Sequence, residues 1–400
     1  GTGSPVVMEN LALSAPPSEL VDLSEQQHAR VTGSEDSHVM SNPWWQNVQV
    51  WGFGASGYYD TGSGGTRDHG SFEIKEATLF VEADVWENNS FFIELQTNRL
   101  GKDDQKFVRT GEVYLNFVDL IHSDHLQAGL KVGRVDIPFG EEYLWQDAID
   151  NPLITNSASY VYGWDEGLLI YGDYGSLSFV AAVTDGTDER SEEDHGDKAI
   201  NLKLSLEPVD SLYLSGSAMF NGNAGKSAVE FGGSHFQPVG ASHGSALGAS
   251  GSATVSGSLY QIDGKYRPVE NGYVAAHFGW AEQEDRDSLF DRDFRWFGVE
   301  AYSSLSSRWY VVARYSEIGT YDDDAGYHFD GKIYAGGNGS FGYDTKRFQR
   351  LGIGLGWKPN TNLVTKLEVG KDWFELIDAS LLSTDNDNRL FVGVEFAARI

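Results

Sequence analysis

The 400-residue sequence predicts an all-β protein whose fold is a transmembrane antiparallel β-barrel of about 16 strands. Three observations support this prediction. Apolar and polar residues alternate along many segments, as they do on the two faces of a β-strand. These segments are on the order of ten residues long and even in number, which matches the strands of outer-membrane barrels. The connections between them alternate between short and long, and a soluble β-sandwich has no reason to sort its loops in this way.

The clearest alternation lies in the segment "EIKEATLFVEADVW", residues 73–86. Leu79 and Val81 fall on one face of this predicted strand, whereas Glu82 and Asp84 fall on the other. Similar alternation predicts strands that start near residues 48, 73, 90, 111, 126, 164, 177, 198, 211, 256, 271, 294, 308, 347, 362 and 388. Because the apolar face of such a strand meets lipid, a membrane protein can have a mean hydropathy of only −0.36.

The predicted connections differ in length in a regular order. Short ones have the sequences "WENNS", "DLIHSDH", "DYGS", "EPVDS", "RPVEN", "SSLSS" and "KPNTN". Long ones lie between them, at residues 61–70, 99–109, 137–162, 185–197, 221–255, 284–293, 318–345 and 372–387. This order predicts short periplasmic turns and long external loops on a barrel formed by residues 47–400. Residues 1–46 have no two-residue period and are predicted to form a largely irregular periplasmic or lumenal segment.

Composition excludes several classes of protein. The formal net charge is −30, so the chain lacks the Lys and Arg clusters that bind nucleic acid. It contains no cysteine, which excludes disulfides, thiolate metal sites and cysteine nucleophiles. No apolar run approaches the roughly eighteen residues that a membrane helix needs. A chain of this composition that crosses a membrane therefore needs strands.

No enzymatic activity and no cofactor are predicted. No "GxSxG" motif frames a serine, and no carboxylate pair stands out as the acid and nucleophile of a glycosidase. The ten histidines are scattered without ligand spacing, so no metal site is predicted. Two acidic segments, "YDDDAG" at Tyr321–Gly326 and "TDNDN" at Thr384–Asn388, could hold Ca²⁺ loosely through Asp oxygens. Neither has full EF-hand spacing, and simple solvation of the carboxylates is the alternative.

One strand is interrupted in the segment "GRVDIPFGEEYLWQDAIDNP", residues 133–152. Pro138 and Gly140 break the alternation, and an acidic, aromatic stretch follows. With the residues before it, the segment reads "LKVGRVDIPFGEEY". This motif resembles the strand that enters the constriction loop in the porin O/P family, the phosphate-selective porins and their relatives.

Neighbouring segments extend this resemblance to roughly residues 47–220. They are "EVYLNF" at Glu112–Phe117 and "DEGLLIYGDYGSLSFVAAVTDGTDE" at residues 165–189, in which Asp185-Gly186 replaces the usual Asn-Gly of the family. The remaining residues match only in their strand pattern. The resemblance implies a sixteen-stranded trimeric porin whose third external loop, here residues 137–162, folds into the lumen and narrows it.

This predicted constriction loop departs from the phosphate-selective pattern. The resemblance implies basic residues that pass anions along, but no Lys or Arg lies between Arg134 and Arg190. The loop instead carries the carboxylates of Glu141, Glu142, Asp147 and Asp150. Because a ring of carboxylates attracts cations and repels anions, a cation-preferring constriction is predicted. A phosphate- or anion-selective porin is the alternative.

Strand parity predicts which charged side chains line the wall of the lumen. Acidic residues come from the early strands, namely Glu76, Glu82, Asp84, Glu94 and Glu112. Basic residues come from the late strands, namely Arg314, Arg350 and Lys366. Opposed acidic and basic walls would set up a transverse field that favours small polar solutes over apolar ones. The alternative is a solvated face without a selective role, and parity slips at any β-bulge.

Together these observations predict an outer-membrane porin for passive diffusion of ions and small hydrophilic solutes. One alternative is the barrel scaffold of a larger outer-membrane transport or electron-transfer complex, and another is a soluble β protein that binds carbohydrate. The predicted partners are outer-membrane lipid, lipopolysaccharide and, through the resemblance, further copies of the chain in a homotrimer; nucleic acid is not among them. The predicted location is the outer membrane of a Gram-negative-type bacterium.

Overall fold

The structure is a computed structural model that describes residues 47–62, 69–86, 89–98, 108–145, 147–158, 160–186, 198–224, 230–231, 255–269, 271–285, 292–320, 345–376 and 388–400. Sixteen strands within these residues form one closed antiparallel barrel. They are β1 (Val48–Asp60), β2 (Ser71–Trp86), β3 (Asn89–Asn98), β4 (Arg109–His122), β5 (Leu126–Asp136), β6 (Trp164–Tyr174), β7 (Leu177–Thr184), β8 (Ala199–Val209), β9 (Leu212–Ala224), β10 (Val255–Val269), β11 (Gly272–Asp285), β12 (Arg292–Ser304), β13 (Trp309–Thr320), β14 (Thr345–Asn360), β15 (Leu363–Leu376) and β16 (Asn388–Arg399). The barrel closes where β1 pairs with β16, and Tyr58 lies opposite Val394. The predicted fold class is confirmed.

A separate two-stranded antiparallel sheet is formed by the short segments Val161–Tyr162 and Glu230–Phe231. No helix among the described residues is long and apolar enough to cross a membrane. Short connections such as residues 175–176 alternate with long ones such as residues 137–163. Outside the described residues lie residues 1–46, the acidic segment Tyr321–Gly326, residues 384–387 of the second acidic segment, and most of the other predicted external loops.

The strands present an apolar face outward and a polar face inward. On β8, for example, Leu202 and Leu204 are exposed on the outer surface, whereas Asn201 and Lys203 are buried inside the barrel. Side chains alternate in this way because successive residues of a strand point to opposite faces of the sheet. The outer surface is therefore suited to lipid, and the polar side chains are collected in the lumen.

A β-bulge in β2 shifts the parity of this strand at one point. Ala55 pairs with Glu76 and Ser56 with Ile74, so Lys75 is the extra residue between them. Lys75 and Glu76 consequently both lie on the inner side and are buried. Strict alternation would have placed the Lys75 ammonium group in lipid, where an isolated charge is costly.

Residues 137–163, which we call the inner loop, fold back into the lumen after β5. Ile137, Phe139, Leu153 and Tyr160 are almost fully buried there. The chain turns at Gly140, whose φ of +68° lies in the left-handed region that favours glycine. A short 3₁₀ turn follows at Glu142–Leu144. Much of the apolar core of the protein thus lies inside the barrel, between this loop and the wall.

Candidate functional site

The inner loop crosses the lumen from β5 to the opposite wall. The backbone N–H of Gly140 donates a hydrogen bond to the Ser217 hydroxyl on β9, at 3.1 Å. The ring of Phe139 lies 6.3 Å from that of Trp296 on β12, centroid to centroid. These contacts fix the first part of the loop against strands far from its own start.

Glu141 is one of the four carboxylates predicted in the constriction, and the structure attaches it to the wall. It accepts hydrogen bonds from the Tyr213 hydroxyl at 2.7 Å and the Ser215 hydroxyl at 2.6 Å. The Lys203 ammonium group lies 2.9 Å from the same carboxylate oxygen. Its negative charge is therefore compensated by a buried lysine of β8.

Glu142 is also held by hydrogen bonds and a nearby cation, but its hydrogen-bond donors belong to the inner loop itself. Its carboxylate accepts hydrogen bonds from both the backbone N–H and the hydroxyl of Ser157, the former at 2.7 Å. A guanidinium nitrogen of Arg314 lies 3.7 Å away. Burial raises the pKa of Glu142 above its usual range, while Arg314 acts in the opposite direction. Glu142 thus joins the two ends of the loop.

The second part of the inner loop, residues 148–158, is bound to the wall through its backbone. Glu368 on β15 accepts hydrogen bonds from the N–H groups of Ile154 at 2.6 Å and Thr155 at 2.8 Å, and from the Thr155 hydroxyl at 2.7 Å. Glu76 on β2 accepts one from the N–H of Ala148 at 2.8 Å. Four wall cations donate to loop carbonyl oxygens: Lys75 to Ile154 at 2.9 Å, Arg314 to Thr155 at 2.9 Å, Arg350 to Asn156 at 3.2 Å and Lys366 to Leu153 at 3.1 Å.

The three basic residues predicted for the late wall do lie on its inner side, and all three are buried. Each is also ion-paired with a carboxylate on a neighbouring strand: Arg314 with Glu300 at 2.5 Å, Arg350 with Asp372 at 2.8 Å, and Lys366 with Glu395 at 2.7 Å. The positive charge expected of an opposed basic wall is therefore balanced at these three positions. Their contacts assign them to holding the inner loop in place.

The remaining acidic residues that were predicted to line the lumen or the constriction lie in different parts of the barrel. Glu82 accepts a hydrogen bond from the Ser90 hydroxyl at 2.7 Å, and Asp84 is exposed near the end of β2. Asp150 lies 2.6 Å from Arg399 at the end of β16, and both are partly exposed. The structure therefore does not bring Glu82 and Asp84 together with the predicted constriction carboxylates, and it separates Asp150 from Asp147 into different cavities. Glu94, Glu112 and Asp147 meet in one cavity.

This acidic cavity of about 180 Å³ lies between the inner loop and the wall formed by β2 to β7. Its carboxylates belong to Glu94, Glu112, Asp136 and Asp147, and its one basic side chain is Lys131. Glu112 accepts a hydrogen bond from the N–H of Asp136 at 3.0 Å, and its own N–H donates to Glu94 at 3.0 Å. Sequence reasoning did not single out Asp136 and Lys131 as site residues, although both lie on β5, directly before the loop.

A second cavity, of about 80 Å³, lies on the other side of the loop against β9 to β13. Its polar lining carries both signs of charge, from Glu141, Glu142, Asp150, Asp263, Lys265, Glu300 and Arg314. Leu144 lines both cavities. The 3₁₀ turn at Glu142–Leu144 therefore divides this level of the lumen into an acidic side and a mixed side.

A closed barrel of sixteen antiparallel strands with an apolar outer surface defines the class of outer-membrane β-barrels. Solved structures of this class are similar to the chain. OmpT of Vibrio cholerae, folded in vitro, has a TM-score of 0.56 at 11% identity, covering 88% of this chain and 97% of that one. The anion-selective porin from Comamonas acidovorans has a TM-score of 0.57 at 9% sequence identity, covering 88% of this chain and 99% of that one. Pseudomonas putida OprB has a TM-score of 0.54 at 9% sequence identity, covering 89% of this chain and 94% of that one. No family model and no curated protein matches the chain. At such identities the similarity establishes the fold, and the prediction of an outer-membrane barrel is confirmed.

Proposed function

We propose that the protein is an outer-membrane porin through which ions and small hydrophilic solutes diffuse passively, with a preference for cations. The acidic cavity carries this proposal, because it holds four carboxylates against the single ammonium group of Lys131. An excess of one sign of charge in a narrow, low-dielectric passage raises the local concentration of the opposite ion. Glu141, by contrast, contributes little free charge because Lys203 compensates it, whereas Glu142 shares Arg314 with Glu300.

We further propose a distant relationship to the porin O/P family and a homotrimer in a lipid and lipopolysaccharide membrane. The motif "GRVDIPFG" leads directly into the inner loop, as the resemblance implies. One similar structure is described as a trimer form of OmpT. The inner loop occupies the lumen, which disfavours a scaffold that encloses a partner. The proposal includes no enzymatic activity and no cofactor.

The proposal predicts a cation-selective reversal potential in a planar bilayer under a KCl gradient. Asp147→Asn should lower the ratio of K⁺ to Cl⁻ permeability about two- to fourfold, since a charge at 10 Å in water is worth about 0.4 kcal/mol to each ion. Asp210→Asn, in an exposed turn, is the matched control and should leave the ratio unchanged. Glu141→Gln should change it less than Asp147→Asn does. A reversal potential of the opposite sign would support the anion-selective alternative and overturn the proposal.

The cation preference should also depend on pH through Asp147. Burial raises the pKa of this carboxyl group well above its usual range, and the nearby carboxylates of Glu76, Asp150 and Glu94 raise it further. A raised pKa means that the carboxylate takes up a proton at a higher pH than an ordinary aspartate does. Cation preference should therefore fall as the pH is lowered, and this step should come at a higher pH than an ordinary aspartate would give. This step should be missing from the same titration of Asp147→Asn, and its persistence there would assign it to another group.

A further inference from the structure

The acidic cavity combines carboxylates with an unusually aromatic wall. Six rings line it, from Phe80, Phe92, Tyr114, Tyr143, Trp164 and Tyr171. Three of them form a stacked row, because Phe80 lies 5.9 Å from Phe92 and Phe92 lies 4.9 Å from Tyr114, centroid to centroid. Inorganic ions do not need such a surface. Aromatic faces beside carboxylates are suited to an organic cation, which gains from charge and from cation–π contact.

The chain itself places an ammonium group in this environment. The Nζ of Lys131 lies 4.2 Å from the centroid of the Tyr114 ring and 4.0 Å from a carboxylate oxygen of Glu112. The geometry of the wall is therefore compatible with a primary ammonium group. This one lysine leaves three of the four carboxylates in the cavity without a basic partner of their own among the lining residues.

We propose that the acidic cavity is a binding site for small organic cations that carry a primary ammonium group. This inference rests on the proposed porin function and specifies the class of solute. The ammonium group offers donors that the carboxylates of Asp136 and Asp147 can accept, while the carbon chain lies against the rings. A metal ion is a poorer fit, because the described residues contain no group of His, Asp and Glu arranged to hold one.

Diaminobutane is a suitable probe, and butanediol is its neutral counterpart of similar length. In planar bilayers, diaminobutane should reduce the K⁺ current through the channel reversibly, whereas butanediol should have no effect at the same concentration. Asp147→Asn should weaken this block about tenfold, which is the scale of one hydrogen bond to a charged group. Phe92→Leu, which keeps an apolar side chain but removes a ring, should weaken it about threefold. Asp210→Asn should leave the block unchanged.

Calorimetric titration of the detergent-solubilised protein with diaminobutane tests the site separately from conduction. If diaminobutane binds and Asp147→Asn weakens that binding, the proposed site is supported even when the channel does not conduct. Failure to conduct would overturn only the porin function. A conducting, cation-selective channel in which diaminobutane binds and blocks no better than butanediol would overturn the binding site and leave the porin function standing. Block that is the same in wild type and Asp147→Asn would also overturn it, because the cation would then act elsewhere.

Discussion

Replacing Glu368 with alanine is expected to release the inner loop and raise the single-channel conductance severalfold. The Glu368 carboxylate is the acceptor for two backbone N–H groups, those of Ile154 and Thr155, and for the Thr155 hydroxyl. Each buried donor left without an acceptor costs about 1–3 kcal/mol, so the two N–H groups alone weaken docking by about 2–6 kcal/mol. A loss of that size shifts the population toward an undocked loop. Conductance in planar bilayers measures the result.

Two variants of the same barrel make this experiment specific. Glu368→Gln keeps one side-chain oxygen as an acceptor and should give an intermediate conductance. Asp210→Asn changes an exposed carboxylate in a turn and should behave as wild type. A Glu368→Ala channel with wild-type conductance would show that the other wall contacts are sufficient to hold the loop.

The second large effect is expected at Arg350. Its guanidinium group pairs with Asp372 through two bonds of 2.8 Å, lies 5.2 Å from the ring of Phe348, and donates to the carbonyl oxygen of Asn156. Arg350 and Asp372 are both almost fully buried. Arg350→Met should therefore destabilise the barrel by about 3–5 kcal/mol, because the Asp372 charge stays buried without its guanidinium partner. Denaturant-induced unfolding in detergent measures this change.

A double-mutant cycle separates the ion pair from simple loss of packing. Arg350→Met with Asp372→Leu removes both charges and replaces them with apolar groups, so it should recover most of the lost stability. Arg347→Met removes a half-exposed arginine from the same strand and should cost about 0–1 kcal/mol. If the double variant is no more stable than Arg350→Met, the bond to Asn156 and the aromatic contacts account for the effect.

The sequence predicted the strands well because each strand carries its own two-residue period. The predicted strand near 347 corresponds to Thr345–Asn360, and the parity of Arg350 within it is correct. A bulge has no such local pattern. Lys75 could not be placed from its own strand, since its inward position depends on the pairing of β2 with β1.

The candidate site was predictable in position but not in role. The motif at Pro138 located the loop, and the alternation placed Glu94 and Glu112 in the lumen. The ion-pair and hydrogen-bond partners of the charged residues could not be predicted, because they are distant in sequence. Glu141, for example, meets Ser215 across 74 positions, and period and composition contain no information about such a pairing.

Glu395 on the final strand of the barrel connects closure of the sheet with seating of the inner loop. Its carboxylate lies 3.2 Å from Lys75 and 2.7 Å from Lys366, the two lysines that donate to loop carbonyl oxygens. It also accepts a hydrogen bond from Tyr59 of the first strand, 336 positions away. Pairing of β1 with β16 therefore brings the shared carboxylate to the two buried lysines that hold the loop. Closure of the sheet and seating of the loop consequently stabilise each other.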